Sequence, residues 1–314
     1  QKLEADTQLP SFAVYGSNKF VEEAVGYVEK HFPENPGTTD FIWPTNHQEA
    51  QLWLDSFIEH RLENYAKFQI AIDNKAMWLY HSAISVSLQI GLLSPKQVID
   101  RTLNAHTKKP IPLECLEAFI RGVLGWREFI RARYLIDGRS MRSSNELKTQ
   151  RRLTVDWYRG NTGILPFDDV VQKLMSHGYI NQSERLYIAT NLMILSEINP
   201  QDMQRFFIKL SIDAYDWVVL PNLHRALSFI ARGAGVDEVP VCSSEKILEI
   251  SNYQKGEWCD VWDGLYWRFI ENNKSAFKNM ASMRGAVQKL EKLDPDHRRI
   301  VGYRAEDFLN KYTG

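Results

Sequence analysis

Residues 113–135 read LECLEAFIRGVLGWREFIRARYL, and their apolar positions recur at helical rather than strand spacing. Leu116, Phe119, Ile120, Val123 and Leu124 repeat at three and four residues, which predicts a long helix with that stripe turned inward. The same period continues on both sides. In TNHQEAQLWLDSFIEHRL (45–62), Asn46 stands as an N-cap with Glu49 at the third helical position, and Trp53, Leu54, Phe57, Ile58 and Leu62 share a face. LSPKQVIDRTL (93–103) offers Ser94, Pro95 and Gln97 as a helix start, and INPQDMQRFFIKLSIDAYDW (198–217) repeats that logic with Asn199, Pro200 and Asp202. Strand-like alternation is scarce and no βαβ rhythm is visible. The expected fold is all-α over residues 46–314, preceded by a lead-in, 1–45, that carries FPENPGTTDFIWP (32–44). No repeat of solenoid length appears.

Composition narrows the function classes. A chain of 314 residues buries a substantial core as one large or two ordinary domains. A net charge of −1 requires any nucleic-acid affinity to come from a local patch. Cys115, Cys242 and Cys259 lack CxxC spacing, which argues against a disulfide framework or zinc knuckle and suits a reducing cytoplasm. No apolar run is long enough for a membrane span, no signal-peptide pattern is present, and a monomer is expected. Gln1 in place of a leading Met points to a short form or a processed fragment.

Standard catalytic signatures (GxGxxG, GxxxxGK[ST], HExxH, GxSxG) are missing. None of the eight histidines stands at metal-ligand spacing from another, so no metal is expected. Three features carry chemistry. In LYHSAISVSLQIGLLSP (79–95), Ser82 and Ser85 sit three apart beside His81, so on a helix they share a face. These hydroxyls either bond back to their own helix or face an enclosed polar group. In DAYDW (213–217), two carboxylates three apart on one helical face suit acid–base work or simple capping. Across residues 131–159, eight cations, among them Arg139, Arg142, Lys148, Arg151 and Arg152, outnumber three carboxylates. Embedded Ser, Asn and Gly predict a loop there, and Trp157 and Tyr158 follow. Basic residues beside aromatics suit phosphate contact with base stacking, and a solvated surface loop is the competing reading.

The order FPENPG…FIWP, LYHSAISVSLQIGLLSP, FIRGVLGWREFIRARY, GNTGI, ERL, DAYDWVVLPN and WDGLYWRF resembles the photolyase/cryptochrome superfamily over nearly the whole chain. It is most similar to the bacterial branch that includes the prokaryotic (6-4) photolyases. The resemblance implies the linker and the all-helical FAD-binding domain of that family, without the N-terminal antenna domain and its chromophore. It implies that His81, Ser82 and Ser85 hold the phosphates and ribityl chain of a bent FAD. Arg127 of the GWRE motif, and Asp213, Asp216 and Asn222 of the segment passing the flavin ring, complete the implied site.

Other family positions differ. The proline expected after the second serine is Val86, and the glutamine after FIR is Gly122. The lesion-facing His-His pair reads Asn181–Gln182, and neither amide supplies a proton near neutral pH. Gln254 and Pro166 stand at two iron–sulfur cysteine positions, with Cys259 one residue out of register, so no iron–sulfur cluster is expected. Phe206 and Tyr158 replace electron-transfer tryptophans, which leaves Tyr158 and neighbouring Trp157 as the implied carriers. The glycine-rich family loop after PN appears as RALSFIARG (225–233), placing Arg225 where backbone would approach the ring.

Two readings follow. In the first the chain is an FAD flavoprotein, a lyase-type enzyme or a light signal, passing electrons under blue light to damaged DNA or to a conformational switch. Its DNA-facing mouth would lie between the basic stretch and the Trp-rich WCDVWDGLYW (258–267). In the second a flavin-free paralogue acts as a nucleic-acid-binding or protein-interaction module.

Overall fold

The computed structural model describes residues 2–3, 9–10, 18–229 and 241–314. Among these the chain is helical, and its only β-type pairings are three isolated bridges, Ile72 with Ser251, Arg151 with Ile198 and Leu153 with Thr313. In chain order the helices are α1 (Lys19–His31), α2 (His47–His60), α3 (Ser85–Gln89), α4 (Pro95–Lys108), α5 (Leu113–Arg121), α6 (Arg127–Ser143), α7 (Val155–Arg159) and α8 (Leu165–His177). There follow α9 (Asn191–Leu195), α10 (Pro200–Leu210), α11 (Asp216–Leu227), α12 (Ser244–Ile250), α13 (Glu257–Asn272), α14 (Lys274–Phe277), α15 (Ala281–Glu291) and α16 (Pro295–Tyr312). Wider π-type turns, Gly122–Trp126 and Glu184–Thr190, join α5 to α6 and lead into α9.

The predicted starts hold where the signal is local. The Asn46 side chain accepts from the Glu49 amide. Ser94 and Gln97 form a reciprocal capping box, and the Asn199 carboxamide accepts from the Gln201 amide before Pro200. The 113–135 stretch departs from prediction at its middle. Leu116, Phe119 and Val123 are buried, whereas Leu124 is exposed, because the π-type turn admits an extra residue per turn and rotates the stripe.

Side chains bury in two principal clusters. The larger takes α8 to α16 and includes Trp157, Phe206, Trp262 and Phe269. Trp258 and Trp262 lie inside it, so the Trp-rich 258–267 stretch is core and not the rim of a mouth. The smaller gathers α2, the segment after it, α4 and α5 around Trp43, Trp53 and Phe57. Trp43 stacks on Trp53 with centroids 5.6 Å apart, fastening the lead-in to this second core. In α13, a β-carbon on Gly264 would lie 2.1 Å from the Val301 carbonyl oxygen of α16, so only glycine admits that crossing.

Candidate functional site

The first site element belongs to the smaller cluster, which takes in Ala83, Ile84 and Val86. Residues 81–84 are not helical; α3 begins at Ser85, after Leu79 and Ala83 adopt positive φ of 44° and 49°. Ser82 and Ser85 therefore do not share a helical face. Left-handed backbone at non-glycine residues is disfavoured and persists only where the surroundings impose it. Here Trp53 Nε1 donates to the Ser82 carbonyl at 3.0 Å, and the His81 amide donates to the Trp78 carbonyl at 2.8 Å. His81 is buried with Nε2 3.1 Å from the Gln69 carbonyl, and burial lowers its pKa, which keeps the ring neutral near pH 7.

The Ser85 hydroxyl neither bonds back to its helix nor stands free. It donates to Asp213 Oδ2 at 2.7 Å, and Arg185 Nη2 donates to Asp213 Oδ1 at 2.9 Å. Burial works against the Arg185 charge, and the adjoining Asp213 carboxylate more than restores it, so its pKa is raised. This serine–carboxylate–guanidinium junction ties α3 to the Glu184–Thr190 turn.

Asp216 serves a different region. It opens α11, whereas Asp213 precedes that helix, so the two acids do not share a helical face. Asp216 accepts from Tyr134 Oη at 2.6 Å, Gln204 Nε2 at 2.8 Å and Arg142 Nη1 at 3.0 Å. Burial opposes its ionisation, but the bonds from Arg142 and Tyr134 outweigh that and hold its carboxyl below the usual range. Arg127 packs over the Trp217 ring at 5.1 Å.

Between the Glu184–Thr190 turn, α10 and α11 opens a cleft of about 80 Å³, with Gln182, Arg185, Asn222 and Arg225 among its polar lining and Phe207 in its apolar wall. Asn222 donates to the Val218 carbonyl at 2.7 Å within its own helix. Tyr158, Phe206 and Phe207 form a file of rings, each step 5.5 Å between centroids, from a half-buried position to the cleft. Trp157 is fully buried, donating to the Tyr312 carbonyl at 2.7 Å and packing 4.9 Å from the Phe167 ring.

No family model matches the chain. A (6-4) photolyase of Agrobacterium fabrum is 27% identical over 327 residues, covering 99% of this chain and 64% of that protein. A bacterial class III photolyase from Agrobacterium tumefaciens superposes with a TM-score of 0.52 at 20% identity, over 83% of this chain and 51% of that one. A cryptochrome from Synechocystis superposes with a TM-score of 0.55 at 15% identity, over 90% and 59%. Over nearly its whole length the chain is similar to that (6-4) photolyase, and its helical fold is the one these photolyase and cryptochrome structures carry. It spans 64% of the length of its Agrobacterium fabrum relative. An uncharacterized mimivirus protein, R855, is 37% identical over 92 residues, 29% of this chain and 75% of that one.

FAD is the group that the photolyase resemblance brings into question, and the cleft bears on its fit. Pockets that enclose drug-sized ligands run to about 300–1,000 Å³, several times the open space here. His81, Ser82, Ser85, Arg127, Asp213 and Asp216 are not in the lining, and Ser85 is already bonded to Asp213. Among the described residues, the serines and Asn222 therefore do not line one cleft. Of the 225–233 segment, residues 230–233 lie outside the described residues.

The superfamily's changed positions are also located. Asn181 is buried and its Oδ1 accepts from the Glu184 amide at 3.0 Å; Gln182 is exposed at the cleft. Cys115 and Cys259 are buried, and burial pushes the half-buried Cys242 thiol up to about 12, far from a reactive thiolate. Among the described residues no group of three or more His, Cys, Asp and Glu side chains is placed to hold a metal ion. No helix there is long and apolar enough to cross a membrane.

The basic stretch is largely helical. Helix α6 runs to Ser143 and α7 occupies Val155–Arg159, leaving a short loop between them. Three of its predicted contact residues are engaged internally: Arg142 with Asp216, Arg151 with Glu197 at 3.6 Å, and Arg152 with Asp202 at 3.3 Å. Arg139 and Lys148 are exposed and make no ion pair among the described residues. Sequence reading missed Arg185, the hub of both the Asp213 junction and the cleft. Its signal was a single cation within the apolar run that follows Glu184.

Proposed function

We propose that the chain is a photolyase-like helical module that acts by binding, with a contracted cofactor pocket and with nucleic acid as the partner its basic segment favours. The helical domain is taken as 46–314, with 1–45 as a lead-in. The observation that carries this reading is the cleft of about 80 Å³, with Arg225 in its wall and the Ser85 hydroxyl held by Asp213 instead of offered to a phosphate. Arg139 and Lys148, exposed on α6 and the loop after it, are the two cations best suited to phosphate contact. Replacing both by Ala is expected to weaken DNA binding and to flatten the log affinity–log salt slope by about two. A slope that stays put leaves this segment as ordinary surface.

A second reading, an FAD flavoprotein driving electron transfer to DNA under blue light, is favoured by one observation. The Tyr158–Phe206–Phe207 file ends at a cleft that also holds Asn222, beside the Arg185–Asp213 pair. Bound FAD would supply the light-absorbing redox centre. With Asn181 and Gln182 in place of imidazoles, acid-assisted (6-4) repair is not part of either reading. The absorption spectrum of protein purified in the dark separates the two. A colourless preparation is expected, and a flavin band at stoichiometric intensity favours the second.

A further inference from the structure

Helix α6 carries apolar side chains on two opposite faces. It packs along α11, with Ile130, Gly138 and Met141 buried. Its other face turns outward: Phe129 is 53% exposed, Leu135 69% and Ile136 76%, with exposed Ala132 among them. Single exposed apolar residues are ordinary on a protein surface, but a contiguous stripe marks an interaction face. These four lie within about one-third of the helix circumference.

The stripe ends in opposite charges. Glu128 and Arg139 are both exposed and stand eleven residues, about three turns, apart on that same arc. Arg131 donates from Nε at 3.0 Å and from Nη2 at 2.9 Å, both to Glu128 Oε2, so neither bond uses Oε1. An antiparallel pairing of α6 with itself lays Glu128 beside Arg139 of the second copy at each end. The same two-fold axis sets Ala132 against Leu135, because the pairs 128/139 and 132/135 share one midpoint; Phe129 and Ile136 are centred one residue away. A small residue facing a large one lets the two helices interdigitate closely. A parallel pairing would instead set like charges against each other.

We infer that α6 is a dimerisation helix, through which two copies of this chain associate in an antiparallel pair in place of the monomer expected from the sequence. Phe129, Ala132, Leu135 and Ile136 form its apolar centre, and Glu128–Arg139 ion pairs close both ends. Such a contact uses the same patch on both copies, so it stops at two. An anionic lipid surface fits this face less well, since Glu128 sits at the stripe and Arg131, Arg133 and Arg142 are held by Glu128, Asp137 and Asp216. The dimer does not depend on the state of the cofactor pocket. It does draw on Arg139, so self-association and phosphate contact compete for that side chain.

Sedimentation velocity of the full chain without DNA, from about 1 to 100 µM, tests this. A concentration-dependent shift from monomer to dimer is expected. Ile136→Asp, at an exposed position, should weaken association at least about tenfold while far-UV circular dichroism is unchanged. Glu128→Arg and Arg139→Glu should each weaken self-association. An equimolar mixture of those two variants should dimerise as well as the native chain, because each supplies the charge the other lacks. A monomer throughout the range, a dimer indifferent to Ile136→Asp, or a mixture no tighter than either variant alone overturns the inference. Binding to phosphatidylserine vesicles that Ile136→Asp abolishes, with no dimer in solution, overturns it in favour of a lipid surface.

Discussion

Asp213 and Asp216 stand three residues apart and look interchangeable in the sequence, yet they serve opposite regions of the molecule. Asp213 lies inside, 9% exposed, where it binds Ser85 and a guanidinium that is itself only 15% exposed. Asp216 lies at the mouth of α11, one-third exposed, among Tyr134, Arg142 and Gln204. The difference arises from where the helix begins: Asp216 is its first residue, and Asp213 is still in the preceding turn. Equal spacing therefore says little about equal role unless both residues are inside one element. The inner junction also engages the Ser85 hydroxyl, since its carboxylate accepts from it.

Removing the inner acid should break the comparison most sharply. Asp213→Ala strands Arg185 without its counter-charge and is expected to cost about 3–5 kcal/mol, the usual penalty for a broken buried pair. Urea unfolding measures it, and a loss below about 1 kcal/mol would put the two acids on an equal footing. Ser85→Ala removes one bond to a charged acceptor, with an expected loss of about 1.5–3 kcal/mol in the same assay.

Acidification should sharpen the contrast. His81, buried against the Gln69 carbonyl, has a lowered pKa in the folded protein, whereas the unfolded chain takes up its proton below about pH 6.5. Stability from this group is thus present above that pH and declines as pH falls through it, by at most about 1.4 kcal/mol per unit. His81→Gln should flatten unfolding midpoints measured between pH 7 and 5. The Asp216 carboxyl, held below its usual range, keeps its contribution until the solution is more acid than that range. The smallest effect belongs to Asp216→Ala, about 0.2–1 kcal/mol, and it should shrink further in high salt.

What the sequence disclosed follows the range of the interactions involved. Helix starts at Asn46, Ser94 and Asn199 were legible because a cap and its amide lie within three residues. The all-α architecture and the superfamily were legible because periodicity and motif order extend over the whole chain. The turn at Gly122–Trp126 was not, since a single extra residue in a helical turn leaves no compositional mark while it turns Leu124 outward. Nor was the backbone at Ala83, whose positive φ is set by contacts with distant elements such as Trp53. The Arg185–Asp213 pair joins residues 28 apart, and the Arg152–Asp202 pair spans 50, so charges that read as a free basic surface were already matched.

The account depends on the proposal that the family's dinucleotide pocket is contracted in this chain. Equilibrium dialysis of the full chain against excess FAD measures this directly. The proposal predicts no saturable uptake by the native chain and a gain of uptake when Arg225→Gly opens the wall. One FAD retained per native chain, with the Ser85→Ala variant releasing it, would contradict the account.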